Sequence, residues 1–98
     1  MTITKTVNGS ALSLALEGRL DTTTAPQLEA ELKTVLADAN AVCFDFEKLE
    51  YISSAGLRVL LSVHKQMKGK GGMELCHVNE AIMEVFDVTG FTDFLTIK

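Results

Sequence analysis

Hydrophobic and polar residues alternate twice at the start of the chain. Thr2–Val7 alternates up to Asn8-Gly9, a dipeptide suited to a hairpin turn. Residues 10–17 alternate again and set Leu12, Leu14 and Leu16 on one face. The pattern predicts an antiparallel hairpin of residues 2–7 and 10–17. The period then lengthens. Leu28, Leu32, Val35 and Leu36 fall on one stripe of a helix. Thr24 is its predicted N-cap, Pro26 lies in its first turn, and Gln27 completes a capping box with Thr24. Residues 40–46 form a short run rich in strand-forming side chains, predicted as a central strand buried on both faces.

A second helix is predicted from Ser53 or Ser54. Leu57, Leu60, Leu61 and His64 share its inner face, with Val59 and Val63 at the shoulder. Gly69, Gly71 and Gly72 end it, among lysines that suit a helix C-terminus. Residues 72–78 read as a further strand. Residues 79–90 read as a helix with Asn79 as N-cap, an Ile82/Val85/Phe86 stripe and Gly90 as its stop. Residues 93–98 read as a last strand. The order is β-β-α-β-α-β-α-β. A helix between two strands implies a crossover and a parallel pair. The fold class is therefore α/β: one domain over residues 1–98, a mixed sheet opened by a hairpin, with helices packed against it.

Length and composition narrow the range of functions. At 98 residues the chain is a single domain, and 47% hydrophobic content is enough for a folded core. A formal charge of -4 argues against a reader of nucleic-acid backbones and against a polybasic membrane anchor. No apolar run approaches the roughly 18 residues of a membrane span. The N-terminus lacks the layout of a signal peptide, so the expected location is cytoplasmic. Cys43 and Cys76 stand far apart in apolar stretches, which predicts plain buried thiols and no metal site.

Most familiar catalytic patterns are missing. There is neither a phosphate-binding Gly-rich loop nor a dinucleotide fingerprint, and no cofactor is expected. The glycines at 69–72 follow a helix, the wrong order for a phosphate cradle. His64 lies on an apolar face and reads as a packed side chain; His77 carries no signal. Met67, Met73 and Met83 read as core filling. Asp45, Glu47 and Glu50 cluster after a strand and read as a solvated loop, with no histidine partner evident. One segment stands out. Ser53, Ser54 and Ala55 precede Gly56 where a helix should begin. One serine suffices as a cap, and a glycine in the first turn lowers helix stability relative to alanine. The spacing suggests a hydroxyl presented on an uncluttered helix start. The alternative is a cap with small residues for tight helix–sheet packing.

Residues 46–72 resemble the STAS domain, specifically the bacterial anti-sigma factor antagonists. Asp45 matches the family's acidic strand end, Tyr51-Ile52 its hydrophobic pair, Ser54 its phosphorylated serine, and Gly56-Leu57 its Gly-Leu. Residues 16–32 resemble the family's Gly-x-Leu-Asp and following helix, with Asp21 as the aspartate beside the phosphorylation site. Phe86–Phe91 resembles its late helix, and the resemblance spans essentially the whole chain. Two positions depart from the pattern: Ser53 replaces the aspartate before the phosphoserine, and Ala55 replaces the serine or threonine after it.

The resemblance implies partner switching. The unmodified domain would bind an anti-sigma factor that is also a serine kinase. Phosphorylation of Ser54, or of Ser53 as the alternative acceptor, would release it, and a PP2C-type phosphatase would reset the cycle. Asp21, Thr22, Ser53, Ser54, Ala55, Gly56 and Leu57 would then form the partner-binding surface, with no catalysis by the domain itself. Two other readings stay open. One is a non-phosphorylated STAS scaffold or subunit of a sensory or lipid-transport complex. The other is an enzyme built on Asp45, Glu47 and Glu50.

Overall fold

The computed structural model describes residues 1–98. Strands β1 (Thr2–Asn8) and β2 (Ala11–Leu20) form the predicted hairpin. Asn8 pairs with Ala11, so the two-residue loop is Gly9-Ser10 rather than Asn8-Gly9. Gly9 supplies the positive φ (+65°) that a tight hairpin loop demands at its first position.

Helix α1 (Ala25–Val35) follows, with Thr24 at its N-cap and Pro26 in the first turn. The predicted capping box does not form. The Thr24 hydroxyl donates to the Arg19 carbonyl at 2.8 Å, and the Gln27 amide donates to the Met1 carbonyl at 3.0 Å. Both side chains tie the helix start to neighbouring strands instead of to its own turn. Leu28, Leu32 and Leu36 are buried and Val35 is half-buried.

Strand β3 (Ala41–Ile52) runs well past the predicted 40–46. It also differs in burial. Val42, Phe44 and Phe46 are buried, whereas Ala41, Cys43 and Asp45 on the other face are half-exposed. Only one face of the sheet is covered. Beyond Phe46 the spacing of buried residues stretches from two to three, giving Leu49 and Ile52. The register against β2 shifts at the same places, between Ala15/Glu17 and Gly18/Arg19. These irregularities twist the strand and let it continue through a stretch whose alternation fails. Asp45, Glu47 and Glu50 therefore lie within β3, not in a loop.

Helix α2 (Ser54–Gln66) crosses to β4 (Met73–Cys76), and α3 (Glu80–Thr89) crosses to the short β5 (Thr96–Ile97). The strand order is β1-β2-β3-β4-β5, with the hairpin antiparallel and every later pair parallel. This is the α/β mixed sheet and element order that the hydrophobic pattern predicts. The buried stripe of α2 is rotated from the predicted one. Gly56, Leu57, Val59, Leu60 and Val63 point inward, while Leu61 and His64 are half-buried. His64 packs its ring on Phe94 at 4.9 Å. Helix α3 is capped as predicted: the Asn79 side chain accepts from the Ile82 N–H, and Gly90 closes the helix in the left-handed conformation. One cluster of 24 buried hydrophobic residues joins the inner face of the sheet to all three helices, and no charged or polar side chain is fully buried.

Candidate functional site

Strands β2 and β3 run parallel and Leu20 pairs with Ile52, so both end at one edge of the sheet, whereas β4 stops earlier, with Cys76 opposite Asp45. The Asp21–Thr24 loop and the start of α2 both leave from that edge. The Ser53 N–H donates to the Leu20 carbonyl at 2.9 Å, which sets the α2 start directly beside the Asp21 loop.

The loop is locked by Asp21. Its carboxylate accepts from the Thr23 N–H (3.0 Å), the Thr23 hydroxyl (2.7 Å) and the Thr24 N–H (3.2 Å). The Thr23 hydroxyl, followed by the backbone donors of the turn, holds the Asp21 carboxyl below its ordinary value. Arg19 approaches it at 3.7 Å and lays its guanidinium 4.2 Å over the Tyr51 ring.

At the helix start the two serines separate. Ser53 is the N-cap residue, but its side chain makes no cap bond; its Oγ is buried and without a partner. Ser54 is the first helical residue and is exposed. The Leu57 N–H is the first to find the helical ladder, bonding Ser53 O at 3.0 Å. The N–H groups of Ser54, Ala55 and Gly56 thus lie at the free, positive end of the helix dipole. No acidic residue occupies the first turn of α2, and Arg58 stands exposed one turn beyond Ser54. Thr22, Ala25, Pro26, Glu29, Ala55 and Arg58 line a shallow depression of about 240 Å³ between the starts of α1 and α2.

Two of the predicted contact residues offer no free surface. Gly56 is buried, wedged on Leu20 and Ile52 with no room for a β-carbon, and Leu57 is 7% exposed in the core. Both are small or apolar because the helix start lies hard against the sheet. The exposed ridge is Thr22, Ser54 and Arg58, with the half-buried Ala55 between them and Asp21 and Tyr51 at its margin. Sequence reasoning missed Arg58, Arg19 and Tyr51. Their link is the β2–β3 register, in which Arg19 faces Tyr51.

The open face of the sheet holds a second set of polar groups. Asp45 pairs in register with Cys76, and His77 Nδ1 lies 3.0 Å from Asp45 Oδ1. The histidine partner that sequence spacing hid comes from the parallel β3–β4 pairing. Glu47 joins Asp45 and His77 with ligand atoms within 4.8 Å of one another. The Glu47 N–H, then burial and the His77 bond, act on Asp45, with a net lowering of its carboxyl; the Asp45 hydrogen bond and charge raise the His77 imidazole. Cys43 and Cys76 are half-exposed rather than buried, with their sulfurs 3.0 Å apart.

Comparison with known proteins gives these features a context. The STAS domain family matches residues 2–98. A Bordetella bronchiseptica protein assigned as the anti-sigma factor antagonist BtrV is 40% identical over 88 residues, covering 88% of this chain and 76% of that one. An anti-sigma factor antagonist from Mycobacterium paratuberculosis shares the fold at a TM-score of 0.89 and 23% identity, over 98% of this chain and 83% of that one. The anti-sigma factor antagonist SpoIIAA of Bacillus shares it in both forms solved. The unphosphorylated form gives a TM-score of 0.78 at 18% identity, over 99% of this chain and 87% of that one. The phosphorylated form gives 0.76 at 19%, over 99% and 91%. No helix of this chain is long and apolar enough to cross a membrane. Sequence, strand order and relatives agree: the chain belongs to the STAS domain family, among the bacterial anti-sigma factor antagonists.

Proposed function

We propose that this protein is an anti-sigma factor antagonist that acts by partner switching, with Ser54 as the switch. In the unmodified state the ridge of Thr22, Ser54, Ala55 and Arg58, beside the Asp21 loop, docks on an anti-sigma factor that is a serine kinase. The kinase phosphorylates Ser54 and the complex dissociates; a PP2C-type phosphatase restores the hydroxyl. The observation that carries this reading is the contrast between the serines. Ser54 is exposed at the first position of α2, whereas the Ser53 Oγ is buried and out of reach of a kinase.

The physics fits a switch that spares the fold. A phosphoryl group adds about -1.5 to -2 charge at neutral pH. At Ser54 it meets unpaired N–H groups and the positive end of the helix, with Arg58 one turn away, so the domain tolerates it. The partner interface does not, because the dianion must be stripped of water or repelled on docking. Each ~1.4 kcal/mol of that mismatch weakens binding tenfold. The likeness of this chain to SpoIIAA in both phosphorylation states is consistent with a fold that modification leaves in place.

Ser53 in place of the family aspartate favours a second reading, a scaffold that is never phosphorylated. One experiment separates them. The anti-sigma kinase is titrated with wild-type protein, Ser54→Ala and Ser54→Asp, and phosphate is mapped after incubation with ATP. Partner switching requires phosphate on Ser54, binding by Ser54→Ala, and at least a tenfold loss of affinity in a folded Ser54→Asp. Equal binding by all three with no phosphate establishes the scaffold.

A further inference from the structure

The open face of the sheet carries a feature that partner switching does not use. Cys43 on β3 and Cys76 on β4 bring their sulfurs to 3.0 Å, closer than ordinary van der Waals contact between sulfurs. Both are half-exposed, so a small oxidant reaches them from solvent. We propose that Cys43 and Cys76 form an oxidisable dithiol site that closes to an intramolecular disulfide, with a hydroperoxide as the oxidant.

Burial, the hydrogen bond and charge of Cys76, and the charges of Glu74 and Asp45 push the Cys43 thiol up to about 12. One sulfur of the pair attacks the peroxide O–O bond as its thiolate, takes one oxygen as a sulfenic acid, and releases water or an alcohol after protonation. The other sulfur then displaces that oxygen, forming the S–S bond and losing its proton as water leaves. The two thiols give up two electrons and the peroxide O–O bond accepts them.

The bond is built to be temporary. Cys43 pairs in register with Glu74 and Cys76 with Asp45, so the two cysteines stand on a diagonal of the ladder. A disulfide there faces solvent, where exposed disulfides are the more readily reduced ones. The loop it closes contains all of α2, including Ser54.

The test uses the reduced full chain treated with hydrogen peroxide, quenched, and followed by intact mass, thiol titration and a non-reducing gel. The expected result is a monomer that loses two hydrogens and both titratable thiols, and recovers them with dithiothreitol. Cys43→Ser and Cys76→Ser should each stop at a sulfenic acid that dimedone traps on the remaining cysteine. Retention of both thiols by the wild type, oxygen addition without a cross-link, or a disulfide-linked dimer would each overturn the proposal. The wild-type measurement alone decides should a variant not fold.

Discussion

Gly56 sits so close to Leu20 that a β-carbon on it would lie 2.7 Å from the Leu20 Cγ and 2.9 Å from Ile52 Cγ1. Leu20 and Ile52 end adjacent strands and are buried, so neither swings away freely. Alanine at position 56 gains helix propensity, about 1 kcal/mol, but overpacks a tight contact by roughly 1–3 kcal/mol. Gly56→Ala is therefore expected to lose up to about 2 kcal/mol of stability. Thermal unfolding should show it as a melting temperature lower by roughly 4–8 °C per kcal/mol.

Ser53 gives the opposite sign. Its Oγ is buried without a hydrogen bond, which costs stability in the folded state. Ser53→Ala should be neutral or stabilising by up to ~1 kcal/mol, read as a raised urea midpoint at unchanged slope. A loss of about 1 kcal/mol would instead mean that the hydroxyl caps α2.

Asn79 joins two elements at once. Its side-chain oxygen accepts from the Ile82 N–H and its amide nitrogen donates to the Leu49 carbonyl, both at 2.9 Å. Asn79→Ala should cost about 1–2 kcal/mol. Asn79→Asp retains the cap but leaves the Leu49 carbonyl without its donor, so its loss in a denaturant titration should be partial.

The Asp45–His77 pair makes a pH prediction. The Asp45 hydrogen bond and charge raise His77 above its ordinary 6.5. Its contribution to stability is complete below pH 6.5 and fades as pH rises through the raised value. The Glu47 N–H and His77 lower Asp45 below 3.8, so its contribution is present above 3.8 and fades as pH falls through the lowered value. Imidazole resonances followed by NMR should titrate above 6.5 for His77 and return toward that value in Asp45→Asn.

Much of this architecture was legible in the residue pattern. The Leu12/Leu14/Leu16 alternation and the Asn79–Gly90 helix with its two caps are local signals, and local signals survive folding. The far half of β3 was not legible, because its buried residues change spacing after Phe46. Only pairing with β2 holds those residues extended. The same reason hid the polar face: Cys43 and Cys76, or Asp45 and His77, are 33 and 32 residues apart in sequence and meet only through β3–β4 register. At the α2 start the motif was plain, but exposure was not. The main-chain path, not residue type, decides that Ser53 is hidden, Ser54 is displayed and Gly56 is packing.

The strands cross the sheet in the order they are made, and every crossover advances the same way. In open parallel sheets a ligand crevice opens where the strand order reverses and neighbouring helices diverge to opposite faces. This sheet has no such reversal. At its carboxyl edge Asp21 and Ser54 stand side by side, just past the Leu20–Ile52 pair. A shallow edge of this kind gives another protein a broad surface to meet. The order of the strands thereby leaves this edge open for the contact that the proposed switch at Ser54 would make and break.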